Sequence, residues 1–183
     1  MKKAKKAAKK AAPKRAKKAA AKKKVAAVPP GYYTLTPYVV CRNAAGAIDF
    51  YKKAFGAKER LRMLGPGGSI AHAEIVIGNS TLMLGDENPQ MGATAPQTIG
   101  GSATSILIYS ENVDKAYAKA VAAGATPEMP PMDMFWGDRY CKFTDPFGHK
   151  WSIATHIEDV SEKETERRGK AAMAQMGNNP SNS

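Results

Sequence analysis

The chain contains no run of about 18 consecutive apolar residues, which excludes a membrane-spanning helix of the usual length. It has two cysteines, Cys41 and Cys141, too few and too far apart for a cysteine-based zinc site. Without an export signal these are expected to be half-buried, reduced thiols in a cytoplasmic protein. Acidic residues are missing altogether from positions 1–24. Lysines interrupt every alanine cluster there, so the apolar stretch of a secretory signal is lacking as well. Arg and Ser are scarce in the same segment, unlike a mitochondrial transit peptide.

The sequence does have a net charge of +12 over 183 residues, and its placement matters more than its size. Lys2, Lys3, Lys5, Lys6, Lys9, Lys10, Lys14, Arg15, Lys17, Lys18, Lys22, Lys23 and Lys24 are thirteen unopposed cations, and the remainder is nearly neutral. Such a Lys/Ala segment has too little apolar surface to offset its ordering entropy, so it is expected to be disordered alone and helical once neutralised. Phosphate neutralisation makes nucleic acid or another polyanion its expected partner, with a solubilising tail as the plainer alternative. The domain boundaries that follow are a basic tail over 1–31, one domain over 32–157, and a C-terminal helix with a fraying end over 158–183.

From Tyr32 onward the pattern changes to alternation. Tyr33–Cys41 reads as a strand marked by Pro37, and Asn43 as the cap of a helix from Ala44 to Phe55, ended by Gly56. Strands are predicted at about Lys58–Leu64, Ser69–Ile77 and Thr81–Gly85, separated by glycine-rich turns. After a Gly/Pro/Thr/Gln loop at 87–101, the order returns: a strand Ala103–Tyr109, a cap at Asn112, a helix Val113–Ala123, then strands at about Thr126–Met129, Trp136–Thr144 and Lys150–His156. Two tandem βαβββ modules, at about 32–86 and 102–157, make this an α+β protein built by duplication. Val39/Cys41, Leu82/Leu84, Ile106/Ile108 and Trp151/Ile153 share one strand parity and are expected against the helices. The other parity carries Thr36/Tyr38, Thr81/Met83, Ser105/Leu107 and Ser152/Ala154, a mixed surface suited to a small-molecule cavity. Beyond the modules, Glu158–Met176 reads as a charged helix, with Ser161 and Glu164 forming a capping box.

Ala47-Ile48-Asp49-Phe50-Tyr51 opens the first helix, and Asp145-Pro146-Phe147-Gly148 precedes the last strand. In this order the modules resemble the vicinal oxygen chelate superfamily, which includes glyoxalase I, bleomycin-resistance proteins and ring-cleaving dioxygenases. Phe55-Gly56-Ala57, Ala71-His72-Ala73-Glu74-Ile75 and Gly137-Asp138-Arg139 are most similar to its PhnB-like branch. The resemblance implies a curved eight-stranded half-barrel with helices on the convex face, a ligand pocket inside, and a homodimer. It also implies that metal-dependent members place four ligands on the first and fourth strand of each module. The corresponding positions here are Thr36, Met83, Ser105 and Ser152. Hydroxyls and a thioether do not make a catalytic divalent-cation site, so no cofactor is expected.

Other donors remain open. His72 and Glu74 lie two apart on one strand face, and with Asp86 or Glu87 they form an alternative metal site serving a glyoxalase-type lyase, isomerase or dioxygenase. The same pair without metal has the makings of a general base oriented by a carboxylate, and it is the candidate catalytic pair. No nucleophile with an activating context accompanies it. His149 and His156 read as turn or rim residues. The residue types fit a small-molecule binding or sequestering protein better, with Tyr38, His72, Glu74, Met83, Trp136, Arg139 and Ser152 as ligand-contacting positions. Trp136 and Tyr38 suit a planar aromatic ligand, and Arg139 a carboxylate, unless Arg139 pairs with Asp138 or Asp145. A third possibility is a nucleic-acid-associated protein acting mainly through residues 1–24.

Overall fold

The chain runs β1 (Tyr38–Cys41), α1 (Ala44–Phe55), β2 (Lys58–Leu64), β3 (Ile70–Ile77), β4 (Ser80–Asp86), the one-turn α2 (Pro96–Ile99), β5 (Ser105–Tyr109), α3 (Val113–Ala122), β6 (Thr126–Asp133), β7 (Asp138–Thr144), β8 (Lys150–His156) and α4 (Glu162–Gly177). This computed structural model describes residues 25–177. The expected disorder and polyanion contacts of 1–24, and the fraying of 178–183, lie outside the described residues.

The duplication is visible in how each helix starts. Asn43 accepts the N–H of Gly46, and Asn112 accepts that of Lys115, each cap contributing about 1 kcal/mol. Asp86, at the end of β4, accepts the N–H of Ala44, and Thr155 near the end of β8 accepts the N–H of Val113. Gly56 stops α1 in the left-handed region at φ 68°, where a side chain is disfavoured.

Each module forms its own four-stranded mixed sheet, in the orders β1-β4-β3-β2 and β5-β8-β7-β6. The first and fourth strands pair in parallel, with Tyr38 opposite Met83 and Leu107 opposite Ser152. The α+β class and the tandem modules are therefore present. The eight strands make two hydrogen-bonded sheets, and among the described residues no ladder joins β1 to β5.

Strand parity decides the faces as expected. Val39, Cys41, Leu82, Leu84, Trp151 and Ile153 are buried in one core with the helices, and Ile106 and Ile108 pack against it. Helix α1 serves both modules. Tyr51 and Phe55 lie 5.4 and 4.8 Å from Trp151 of the second sheet, centroid to centroid. Asp145, in the turn before β8, locks this contact. Its Oδ2 accepts Tyr51 Oη–H and Trp151 Nε1–H, both at 2.8 Å, while Oδ1 accepts the N–H groups of Phe147 and His149, both at 2.9 Å. His149 is buried beside Cys41, its Nε2 3.1 Å from the Val40 carbonyl, so it ties the modules together and is not a rim residue. Both cysteines are free and fully buried, deeper than half-buried.

Four boundaries differ from the sequence expectation. Residues 33–37 are outside β1: Thr36 Oγ1 donates back to the Tyr33 carbonyl, and Pro37 has no N–H and joins the ladder only through its carbonyl, which accepts Met83 N–H. Strand β6 runs on through Pro130 and Pro131, which an edge strand tolerates at the irregularity between Met129 and Met132. Trp136 lies in a turn closed by Gly137, so β7 starts at Asp138. Residues 157–161 are outside any regular element, the N–H groups of Ile157 and Glu158 both reaching the Gly137 carbonyl, and α4 starts only after Ser161. Ser161 Oγ does accept Glu164 N–H, one half of the expected capping box. None of the described helices is long and apolar enough to cross a membrane.

Candidate functional site

On the sheet face away from the helices, the first module gathers Tyr38, His72, Glu74 and Met83. Alternation on β3 places His72 and Glu74 on one side, and the β3–β4 register sets Glu74 opposite Met83. The Tyr38 and His72 rings stack at 5.8 Å. Tyr38 fits because position 85 is glycine: a Cβ there would stand 2.7 Å from the Tyr38 hydroxyl. Burial pushes the Tyr38 phenol above its ordinary value.

Glu74 is 6% exposed and has three partners. Its Oε2 accepts Tyr32 Oη–H at 2.7 Å and lies 3.7 Å from Arg60 Nε, while Oε1 is 3.4 Å from His72 Nε2. The Tyr32 hydrogen bond above all, then His72 and the Arg60 charge, holds this carboxyl below its usual range. The Arg60 guanidinium sits over the Tyr32 ring, 4.6 Å from its centroid. Glu74 thus stands beside His72, but its shorter hydrogen bond goes to Tyr32. Among the described residues, Glu74 is the only hydrogen-bond partner of the imidazole, and no nucleophile touches it.

The second module presents a different chemistry. Ser152, 2% exposed, lies 2.6 Å from Tyr140 Oη and 3.4 Å from Ser105 Oγ, a chain of three hydroxyls. Trp136 meets Tyr140 edge-on at 5.7 Å and anchors its Nε1–H on Asp138 at 3.1 Å. Lys142 faces Ser152 across the β7–β8 ladder, with Nζ 5.9 Å from the Tyr140 ring centre. Asp138 also accepts from Tyr109 and contacts His156, which bridges to Asp159. The hydrogen bonds to Asp159 and Asp138 raise the His156 pKa.

Arg139, expected from sequence to meet a ligand carboxylate, has carboxylate partners within the chain. Arg139 has the opposite strand parity to Tyr140 and is held by Asp114 at the start of α3 and by Asp133, at 2.8 Å each. The guanidinium is therefore engaged away from the Trp136–Tyr140 face, and both carboxylates push its pKa up. Neither Asp138 nor Asp145, the partners considered from sequence, holds it. Tyr32, Arg60 and Lys142 are the residues that sequence reasoning missed. The signal for Lys142 was strand parity, whereas Arg60 falls at the β2 irregularity between Glu59 and Leu61, where parity assigns no face. Tyr32 lies before any regular element and carried no comparable signal.

The four positions matching the family's metal ligands do not fit a divalent cation. Thr36 lies in the loop before β1 and donates to a backbone carbonyl, Met83 offers a thioether, and Ser105 and Ser152 bond to each other. The alternative site loses its third donor. Asp86 is committed to the N–H groups of Ala44 and Ile70, and Glu87 to Ala95 N–H, Thr98 and Arg42. Among the described residues no cluster of three or more His, Cys, Asp and Glu side chains is suited to a metal.

Among the described residues, two cavities bear on the site. One of about 680 Å³ lies on the first module's face, between Met83, Thr36 and Arg60 below and Val28, Pro29 and Tyr33 above. Residues 27–31, assigned to the tail by composition, therefore lie against the domain. The other, about 890 Å³, is a groove on the helix side between the modules, floored by Phe55, Ile106 and Trp151. It contains none of the expected site residues.

Against known proteins, the model described as the Glyoxalase/Bleomycin resistance protein/Dioxygenase superfamily matches residues 32–153. The uncharacterized protein Mb0911c of Mycobacterium bovis is 40% identical over 146 residues, covering 78% of this chain and 93% of that one. The solved structure of the Arabidopsis thaliana product At5g48480 is 28% identical, with a TM-score of 0.53 over 67% of this chain and 96% of that one. A PhnB protein structure from Bacillus cereus, 16% identical, has the same fold at a TM-score of 0.53, over 67% of this chain and 99% of that one.

Proposed function

The chain belongs to the glyoxalase/bleomycin resistance/dioxygenase superfamily, and from that premise we propose that it binds and sequesters a small planar molecule without a metal ion. One observation carries this reading: the four family ligand positions hold two serines, a threonine and a methionine, with the serines bonded to one another. What surrounds them suits binding. Tyr38 stacked on His72 and Trp136 against Tyr140 are two aromatic platforms, and Ser105, Ser152 and Lys142 offer hydroxyls and a cation to a carboxylate-bearing ligand.

A homodimer supports the same site. Tyr38, Met63, Leu107 and Met132 are each about half exposed on the sheet faces, and β1 and β5 are edge strands with unpaired backbone. A second copy covering these faces would enclose the ligand. The thirteen cations of 1–24 act as a tether to nucleic acid or another polyanion. Two free, buried thiols accord with a reducing cytoplasm.

The test is titration of planar aromatic acids into the full chain with and without excess chelator, read by calorimetry. Saturable binding that the chelator leaves unchanged is expected, and it weakens on Trp136→Phe or Ser152→Ala. Binding that needs a divalent ion overturns the reading. For the tether, duplex DNA affinity should fall steeply with salt and vanish when the lysines of 1–24 are replaced by glutamine. Equal affinity in that variant refutes it.

A further inference from the structure

The segment from Ala27 to Tyr33 belongs to no ladder, yet it crosses the face on which the proposed ligand would sit. Three side-chain contacts fasten it. Thr81 Oγ1 donates to the Gly31 carbonyl at 2.8 Å, Arg60 Nη2 reaches the Pro30 carbonyl at 3.5 Å, and Tyr32 donates to Glu74 at 2.7 Å. Gly31, at φ 82°, lets the chain turn after Pro29-Pro30 so that the Tyr32 ring drops under the Arg60 guanidinium.

We infer that this segment is a displaceable strap whose Tyr32 phenol fills the seat offered to a ligand, and that the ligand taken there is an aromatic ring bearing a hydroxyl donor. The inference rests on the small-molecule reading above and adds to it a ligand class and a means of control. The seat specifies the chemistry. Ionised Glu74 only accepts hydrogen bonds, so it selects an O–H donor and repels an aryl carboxylate. Arg60 donates and offers a flat cation, which selects a π face. Tyr38 and His72 stack on the far side of Glu74, and the cavity of about 680 Å³ that Tyr32 and Arg60 line gives room for more than one ring. A ligand entering this seat must first lift Tyr32 from Glu74, so the strap lowers affinity until it is released.

The strap supplies its own probe, because 4-methylphenol is the tyrosine side chain cut from its backbone. In calorimetric titrations of the full-length protein, Tyr32→Ala should bind 4-methylphenol about ten- to a hundredfold more tightly than the wild type, the worth of one charge-assisted hydrogen bond. Toluene and 4-methylbenzoate, lacking the donor or carrying the wrong charge, should bind neither protein measurably better than the other. Equal affinity of both proteins for 4-methylphenol, or equal binding of toluene and 4-methylphenol to Tyr32→Ala, overturns the inference. Should Tyr32→Ala fail to fold, the wild type decides. With tyrosine rings isotope-labelled and Tyr32 assigned from Tyr32→Phe, saturating 4-methylphenol must shift the Tyr32 resonance toward that of an exposed tyrosine, and an unmoved resonance overturns the inference. Either failure leaves the broader reading standing if planar aromatic acids still bind through Trp136 and Ser152. Loss of that binding as well would bring down both.

Discussion

Replacing Asp145 with alanine tests the junction on which both site faces depend. The carboxylate is 3% exposed and accepts four hydrogen bonds, two from backbone N–H groups in its own turn and two from Tyr51 and Trp151. Water cannot replace it at Tyr51 and Trp151, which are at most 1% exposed. Two stranded buried donors cost about 1–3 kcal/mol each, so the loss should be about 2–6 kcal/mol. For a chain of this length that lowers the melting temperature by on the order of 10 °C. Asparagine should rescue little, because its oxygen can serve one pair of donors while its NH₂ then points at the other. Urea denaturation of Asp145→Ala, Tyr51→Phe and the double variant measures the coupling. In the Tyr51→Phe background one donor is already gone, so Asp145→Ala should cost about 1–3 kcal/mol less. Strict additivity, or a single-variant loss below about 1 kcal/mol, would refute the reasoning.

Three further outcomes are expected. Gly137→Ala would place a Cβ 2.1 Å from the Glu158 carbonyl at a φ of +98°, so it should destabilise by more than about 1 kcal/mol and alter Trp136 fluorescence; wild-type melting and emission would contradict this. Gly85→Ala forces Tyr38 off its seat, since the new Cβ stands 2.7 Å from the hydroxyl, and should weaken ligands on the first face while those on the Trp136 face bind normally; equal effects on both would be the wrong result. Burial holds the His149 pKa below its ordinary value, so the stabilising neutral form is secured above about pH 6.5 and lost as pH falls through the folded pKa. The stability difference between wild type and His149→Gln should therefore shrink on acidification, and a constant difference would count against it.

Much of the fold was legible because helix caps and strand parity are local. Asn43, Asn112, Gly56 and the alternation in β3, β4 and β8 act through neighbours a few residues away, and those elements fall where expected. Errors arose where a distant partner decides. The alternation of Tyr33–Thr36 suggests a strand, but Pro37 has no N–H to donate and Thr36 turns back to the Tyr33 carbonyl, so those residues stay outside the ladder. Pro130-Pro131 suggests a break, but an edge strand absorbs it. The site divides in the same way. Parity placed His72 with Glu74, and Ser105 with Ser152, while the engagement of Arg139 with Asp114, twenty-five residues away, has no local signature. Tyr32 was hidden for a related reason: a basic composition next to it suggests a tail, and only the folded chain brings it to Glu74, forty-two positions on.

Metal content is the most direct test of the central claim that this site works through hydroxyls, a thioether and aromatic rings. The full chain, purified without chelator and dialysed against mixed nickel, zinc, iron and manganese, should retain far less than one ion per molecule by elemental analysis while still binding its aromatic ligand. One tightly held ion per chain or per dimer, lost on replacing Ser152 or His72, would contradict the account.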